Sequence, residues 1–248
     1  MPGTRVFFRA AAMVLLAVGV TAAWYLVPVR HMAAPGDRVA VVLPDGSSVE
    51  LNSGSSLTYR RGFAWLPGVA SGSRKVTLSG EAFFDVVSGV RPFRVEAGPV
   101  DVRVLGTRFN VRAREGEADR EARVEVVEGR VEVWPVDGYS SVILSAGELA
   151  VVRSGNGESV MTRAELEPVR IAAWRTGGLT LVDEPLSMVL AELSLRYGVR
   201  ITLTDPARGT PRLSVYYPEL GPLESVLSDL AIQQELQYRR TSDGWELF

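Results

Sequence analysis

Between residues 37 and 153 the pattern is one of short alternating apolar segments separated by glycine-containing turns. A period of two sends alternate side chains to opposite faces of an extended strand and leaves no stripe for a helix to bury. The segments 38–43, 48–51, 75–78, 82–87, 93–96, 100–105, 108–112, 123–127, 130–133, 142–144 and 149–152 therefore read as short strands rich in valine and phenylalanine. Val124 and Val126 alternate strictly, as do Val131 and Val133. Pro44-Asp45-Gly46 and Glu128-Gly129 supply the left-handed positions that tight turns need. The region is predicted to be all-β. An apolar strand, a turn ending in glycine and a second apolar strand recur around Gly46, Gly80, Gly129 and Gly147. Two arrangements fit: ordinary hairpins, or a β-roll or solenoid whose stacked turns share one core. The irregular spacing does not choose between them.

Residues 10–27, AAAMVLLAVGVTAAWYLV, carry no charge. As a helix they would span about 27 Å, close to the hydrocarbon thickness of a bilayer. Arg5 and Arg9 precede the run, and Arg30 and His31 follow it. The expected topology is a short cytoplasmic tail (1–9), a single transmembrane helix (10–27) and the bulk of the chain outside the cytoplasm. Trp24 and Tyr25 suit the outer interface, and Pro28 ends the helix. The alternative is a cleaved signal peptide, with Thr21-Ala22-Ala23 as the small residues at the cut. Both alternatives deliver the remainder to the same side.

Residues 154–166 are polar and contain glycine, so 154–177 reads as a linker, with a short helix over 168–174. Beyond it the period changes. Leu186, Val189, Leu190 and Leu193 share one helical face, with Pro185 before them and Gly198 after. Leu223, Val226, Leu227 and Leu230 mark a second amphipathic helix after Pro222. Strands are expected at 179–182, 199–203, 213–217, 236–240 and 245–248. Residues 178–248 are thus a compact α+β (βαββαβ) module with two helices on one face of a small sheet.

The 248 residues suffice for one large domain or two small ones. There is no cysteine, and His31 is the only histidine, which removes thiol catalysis, disulfides and Cys/His zinc sites. The net charge of −2 gives no general attraction to nucleic acid. Glu81 with Asp85, and Glu125 with Glu128, are candidate acid–base pairs, but on alternating strands they read as solvated outer faces, with Glu81 in a turn. The glycines between 68 and 72 lack the phosphate-cradle spacing. Asp37 and Asp45 fit turns better than a calcium loop. Trp65, Phe83, Phe84, Trp134 and Trp174 fit core packing better than a sugar site. No catalytic residue, cofactor or metal ligand is expected.

Several strings in order carry a family resemblance: VVLPDGSSVELN (41–52), VTLSGEAFFDVV (76–87), PFRV (92–95), VLGTRFNV (104–111), VVEGRVEV (126–133) and LSAGE (144–148). Together they resemble the FecR family of membrane-bound anti-sigma factors and sigma regulators. Trp174, Gly177-Gly178-Leu179, Pro185-Leu186 and Tyr197-Gly198-Val199 resemble that family's C-terminal part, itself similar to the short domain at the N-termini of secretins and TonB-dependent transducers. The resemblance implies a mainly β protein with a roll-like FecR domain over 37–153. In this reading Gly46, Gly80, Gly106 and Gly129 turn the chain, Asp45 and Asn52 bond local backbone, and Phe84, Phe93 and Phe109 fill the β core.

It also implies an inner-membrane, single-pass relay in cell-surface signalling, including regulation of iron uptake. Its expected partners are the signalling domain of an outer-membrane TonB-dependent transducer, an extracytoplasmic-function sigma factor and an intramembrane protease, with Gly19 weakening the membrane helix midway. The family's helical sigma-binding domain has no counterpart in residues 1–9, so sigma binding is expected to need a part outside this sequence. Exposed sheet edges accept added strands. The expected transducer contacts are Leu213, Ser214, Val215, Tyr216 and Tyr217, or Ile201, Thr202, Leu203 and Thr204. The competing function is a membrane-anchored carbohydrate- or envelope-binding module.

Overall fold

The structure is a computed structural model that describes residues 3–63, 74–114, 120–138, 140–155 and 158–248; the side chains of residues 3–11, 120 and 207 are outside that description. Trp65 and the glycines of 68–72 lie outside the described residues.

Helix α1 (Gly3–Leu26) opens the chain. From Ala12 onward its side chains are exposed all round, apart from the half-buried Tyr25. Among the described residues no helix is long and apolar enough to cross a membrane, and the described side chains of α1 begin at Ala12. The helix runs straight into β1 (Pro28–Met32). There follow β2 (Val39–Val42), β3 (Ser48–Leu51), β4 (Ser56–Arg60), β5 (Arg74–Asp85), β6 (Phe93–Ala97), β7 (Val100–Val104), β8 (Arg108–Ala113), β9 (Arg120–Glu128), β10 (Arg130–Pro135), β11 (Val142–Ser145), β12 (Glu148–Gly155) and β13 (Glu158–Glu165).

These thirteen strands form one sheet that curls on itself around β5. The first half of β5 pairs with β4 and, in parallel, with β6; its second half pairs with β3 and β8. A front leaf thus runs β1-β4-β5-β6-β7-β10-β11, and a back leaf β2-β3-β5-β8-β9-β12-β13. The inner residues of both leaves make a single core. Phe84, Phe93 and Phe109 are fully buried in it, with the Phe84 ring 6.0 Å from Phe93 and 5.1 Å from Phe109. Each such side chain stabilises the fold by about 1.5–3 kcal/mol.

The strands 75–78 and 82–87 expected from sequence are one continuous strand. Gly80 turns no hairpin; it lets β5 change leaves. Its φ is +98°, and a Cβ there would lie 2.8 Å from Ser55 Cα. Gly106, Gly129 and Gly147 stand where β7 passes to β8, β9 to β10, and β11 to β12, each a crossing from one leaf to the other. Only Gly46 of the repeat positions turns a hairpin, between β2 and β3. The stacked-roll arrangement therefore describes this region better than a row of hairpins.

Three more differences from the sequence reading have simple causes. Residues 158–165, expected in the linker, are edge strand β13, since backbone pairing with β12 tolerates exposed polar side chains on both faces. The helix expected over 168–174 is two 3-10 turns, Pro168–Arg170 and Ala173–Thr176, separated by Ala172 in the left-handed region at φ 49°. Strands β1 and β4 fell outside the expected set because Arg30, His31, Tyr59 and Arg60 blur the alternation.

The C-terminal module comprises β14 (Leu179–Pro185), α2 (Leu186–Tyr197), β15 (Arg200–Leu203), β16 (Arg212–Tyr217), α3 (Leu223–Gln233), β17 (Tyr238–Arg240) and β18 (Gly244–Leu247). It has two small sheets, β14-β16 and β15-β18-β17, where a single sheet was expected. Both sheets and both helices share one core that includes Leu186, Val189, Leu193, Leu227 and Leu230.

Candidate functional site

In the middle of the back leaf, at β5, β8 and β9, both faces are covered. Alternation sends Ala82, Phe84, Phe109, Val111, Val124 and Val126 into the roll core. The intervening residues Glu81, Phe83, Asn110, Arg112, Arg123 and Glu125 point the other way, and each is buried. What covers them is the connecting segment around Trp174 and one side of the module. Asp85 and Glu128 are exposed, whereas Glu125, expected on a solvated face, and Glu81, expected in a turn, lie in a buried polar seam.

Asn110 is the hub of its first part. Trp174 Nε1 donates to Asn110 Oδ1 at 3.1 Å, while Asn110 Nδ2 donates to Glu81 Oε1 at 2.9 Å and Glu125 Oε2 at 3.3 Å. Asn52 Nδ2 donates to the other Glu81 oxygen at 2.6 Å, and Asn52 Oδ1 accepts the local Ser53 N–H at 2.9 Å. The Ala172 N–H donates to Glu125 Oε2 at 3.1 Å. Phe83 packs with Ile171, Ala172 and Trp174, and the Arg175 guanidinium lies 3.8 Å above its ring. Arg38 Nη1 donates to the carbonyls of Trp174 and Arg175 at 3.0 and 2.9 Å.

The second part is ionic. Arg112 Nη1 meets Glu184 Oε1 of β14 at 2.8 Å, and Arg123 Nη2 stands 3.6 Å from the same oxygen while donating to Val182 O at 2.9 Å. Glu192 of α2 receives Arg114 Nε at 2.5 Å and Arg196 Nε at 3.3 Å. Arg114 Nη2 also donates to Ser53 O at 3.2 Å. At the end of α2 a close approach completes the seam: Gly36 N donates to Leu195 O at 2.7 Å, and a Cβ on Gly54 would lie 2.5 Å from Leu195 Cδ2.

Burial works against charge here, and the partners decide the outcome. Burial alone would push the Glu192 carboxyl up, but Arg114, then Arg112 and Arg196, hold it below the usual carboxylate range. Burial likewise opposes the charge on Arg112, yet Glu184, then Glu192 and Glu81, keep it firmly protonated. Glu125 is different. Burial pushes its carboxyl up, Glu81 adds to that, and Arg123, Ala172 N–H and Asn110 only partly compensate. Removing one partner of a buried pair costs about 3–5 kcal/mol, because a charge is stranded. The seam therefore depends on each buried charge keeping its partner. Among the described residues no group of three or more His, Cys, Asp or Glu is placed to hold a metal.

Asp45 accepts Ser47 N–H at 3.0 Å and Ser47 Oγ at 2.8 Å, and pairs with Arg74 at 2.7 Å. Leu213, Val215 and Ile201 face the module core; Thr202, Thr204 and Ser214 are exposed. Tyr217 packs against the module core, and Arg170 lies 4.8 Å over the Tyr216 ring. β16 pairs with β14 along one edge, and β15 with β18 along one edge. Trp134 lines a groove on the front leaf with Arg94, Asp101, Arg103, Pro135 and Val136, and Arg103 already lies over its ring, 5.3 Å from the centroid. The seam residues Arg112, Arg114, Arg123, Glu184 and Glu192 escaped sequence reasoning. The available signal was the same-face polar row Asn110-Arg112 and Arg123-Glu125 on strands whose other face is wholly apolar.

The chain is thus a curled β-roll joined on one face to a small α+β module through a buried seam of ion pairs and hydrogen bonds. The FecR protein family profile matches residues 30–132. Two crystal structures of a candidate anti-sigma factor from Parabacteroides distasonis resemble the chain. One is 29% identical with a TM-score of 0.77, covering 90% of this chain and 99% of that one. The other is 30% identical with a TM-score of 0.76, covering 89% and 98% respectively. No curated protein matches the chain. The chain belongs to the FecR family.

Proposed function

We propose that this protein is a signal-relay regulator of an extracytoplasmic-function sigma factor, anchored in the inner membrane by α1, with the roll and module on the periplasmic side. The signal is contact by the signalling domain of an outer-membrane TonB-dependent transducer with a free strand edge of the module, at β16 or β15. Family membership and the likeness to a candidate anti-sigma factor support the regulatory part.

One observation carries the relay: a continuous bonded path from module to helix. The module is joined to the back leaf by Arg112–Glu184 and Arg114–Glu192. β5 joins the back leaf to the front leaf. β4 leads to α1, where Arg61 N donates to Val27 O at 3.2 Å, Gly62 N donates to Tyr25 O at 2.9 Å, and the Arg61 guanidinium sits 3.9 Å over the Trp24 ring. No loose linker interrupts the path between α1 and β1.

The test uses the absence of native cysteine. Single cysteines at Ser214, Thr202 or, as a distant control, Thr77 are offered to a transducer signalling domain carrying a thiol crosslinker. Crosslinking at Ser214 or Thr202 alone supports the docking edge. Equal crosslinking at all three, or at Thr77 alone, contradicts it.

A further inference from the structure

We propose that the basic rim where α1 joins the front leaf binds the phosphate headgroups of anionic phospholipid in the bilayer that α1 enters. The inference rests on the membrane-anchor reading and adds a lipid partner to it. The rim is assembled by the fold. Pairing of β1 with β4 sets Pro28 opposite Arg60 and Arg30 opposite Thr58, so Arg60 and Arg61 come to lie beside a helix more than thirty residues earlier in the chain.

Arg30 and Arg60 are exposed, and Arg61 is half-buried. Several arginines elsewhere in the roll are matched by acids: Arg74 with Asp45, Arg94 with Asp101, Arg112 with Glu184, Arg153 with Glu121. At the rim the contacts are of another kind. Arg30 Nη2 donates to Ser56 Oγ at 3.3 Å, and Arg61 stacks on Trp24. Neither stretch that builds the rim, 27–36 or 54–63, contains an aspartate or glutamate. Among the described residues no acid pairs with these cations, which stand at the end of an exposed apolar helix that carries Trp24 and Tyr25. An anionic headgroup layer supplies the missing counter-charge at that depth, with the aromatic rings at its boundary. Each basic residue at such a surface strengthens attachment roughly fivefold.

The full-length protein is reconstituted into phosphatidylcholine bilayers containing spin-labelled phosphatidylglycerol or spin-labelled phosphatidylcholine, and the motionally restricted lipid is measured by electron spin resonance. The wild type should prefer phosphatidylglycerol by roughly fivefold or more, and the double variant Arg30→Gln/Arg60→Gln should lose most of that preference. A second double variant, Arg200→Gln/Arg240→Gln, removes the same charge from exposed positions on the module and should leave the preference intact. Equal association of both lipids with the wild type overturns the proposal, as does an equal loss in the two double variants. Release of the wild type by alkaline carbonate overturns the membrane reading and the rim together, whereas retention with no lipid preference overturns the rim alone.

Discussion

The indole N–H of Trp174 donates to Asn110 Oδ1 at 3.1 Å, joining the connecting segment to the middle of β8. Asn110 can accept there because its amide group donates to Glu81 and Glu125 on the neighbouring strands. One side chain therefore orders two buried carboxylates and the segment that leads into the module. This contact and the Arg112–Glu184 pair hold the seam from two directions.

Loss of Glu192 should open the seam before it unfolds the roll. Glu192→Gln removes the charge that holds Arg114 and Arg196 and leaves Arg112 with one acid fewer. The expected cost is about 3–5 kcal/mol, and it should fall on the joining of the units. Hydrogen exchange should show new exposure at 171–176 and 182–184 while the amides of β6 and β7 stay protected. Uniform loss of protection would mean that the pair supports the whole fold and has no special place at the seam.

Glu125 should make the protein less stable as pH rises. Its folded-state carboxyl titrates above the ordinary value of 4.5, chiefly because it is buried. The folded state therefore binds the proton more tightly than the unfolded chain, and stability falls as pH rises from about 4.5 through the raised value. Glu192 acts oppositely: its lowered carboxyl contributes stability above the ordinary range, lost as pH falls through the lowered value. Melting temperatures of wild type and Glu125→Gln, followed across pH, separate the two. The variant should gain relative to wild type as pH rises. A constant difference between the curves contradicts the assignment.

Much of this architecture is legible in the sequence, and the exceptions have physical causes. The valine alternation in β9 and β10 reveals strands because one face of each is wholly apolar. The helix α2 is visible because Leu186, Val189, Leu190 and Leu193 all face one core. Gly80 misleads because positive φ serves a turn and a mid-strand change of leaf equally well. Glu81 and Glu125 look solvated because their partners, Asn52, Asn110 and Ala172, lie on other elements. Arg112 and Glu184 are 72 positions apart, so no local pattern pairs them. β13 is hidden because an edge strand held by backbone bonds needs no apolar face.

The crossing glycines should differ in sensitivity. Gly80→Ala meets both a left-handed φ and Ser55 Cα at 2.8 Å, whereas Gly147→Ala meets only a φ of +86° with nothing within 4 Å. Backbone strain of this kind costs about 1–3 kcal/mol. Urea unfolding should find Gly147→Ala in that range and Gly80→Ala beyond it. Equal losses would show that the steric contact at Ser55 relaxes freely.

The relay itself is tested most directly by separating binding from output. Full-length wild type and Glu192→Gln are expressed with their cognate transducer, and transducer capture and sigma-dependent reporter activity are read in the same cells. The variant should still capture the transducer's signalling domain, because β15 and β16 keep their own core, while the inducer-dependent change in reporter activity falls away. Unchanged inducer response in a variant whose seam is open by hydrogen exchange, or failure of the wild type to capture the signalling domain, would contradict the account.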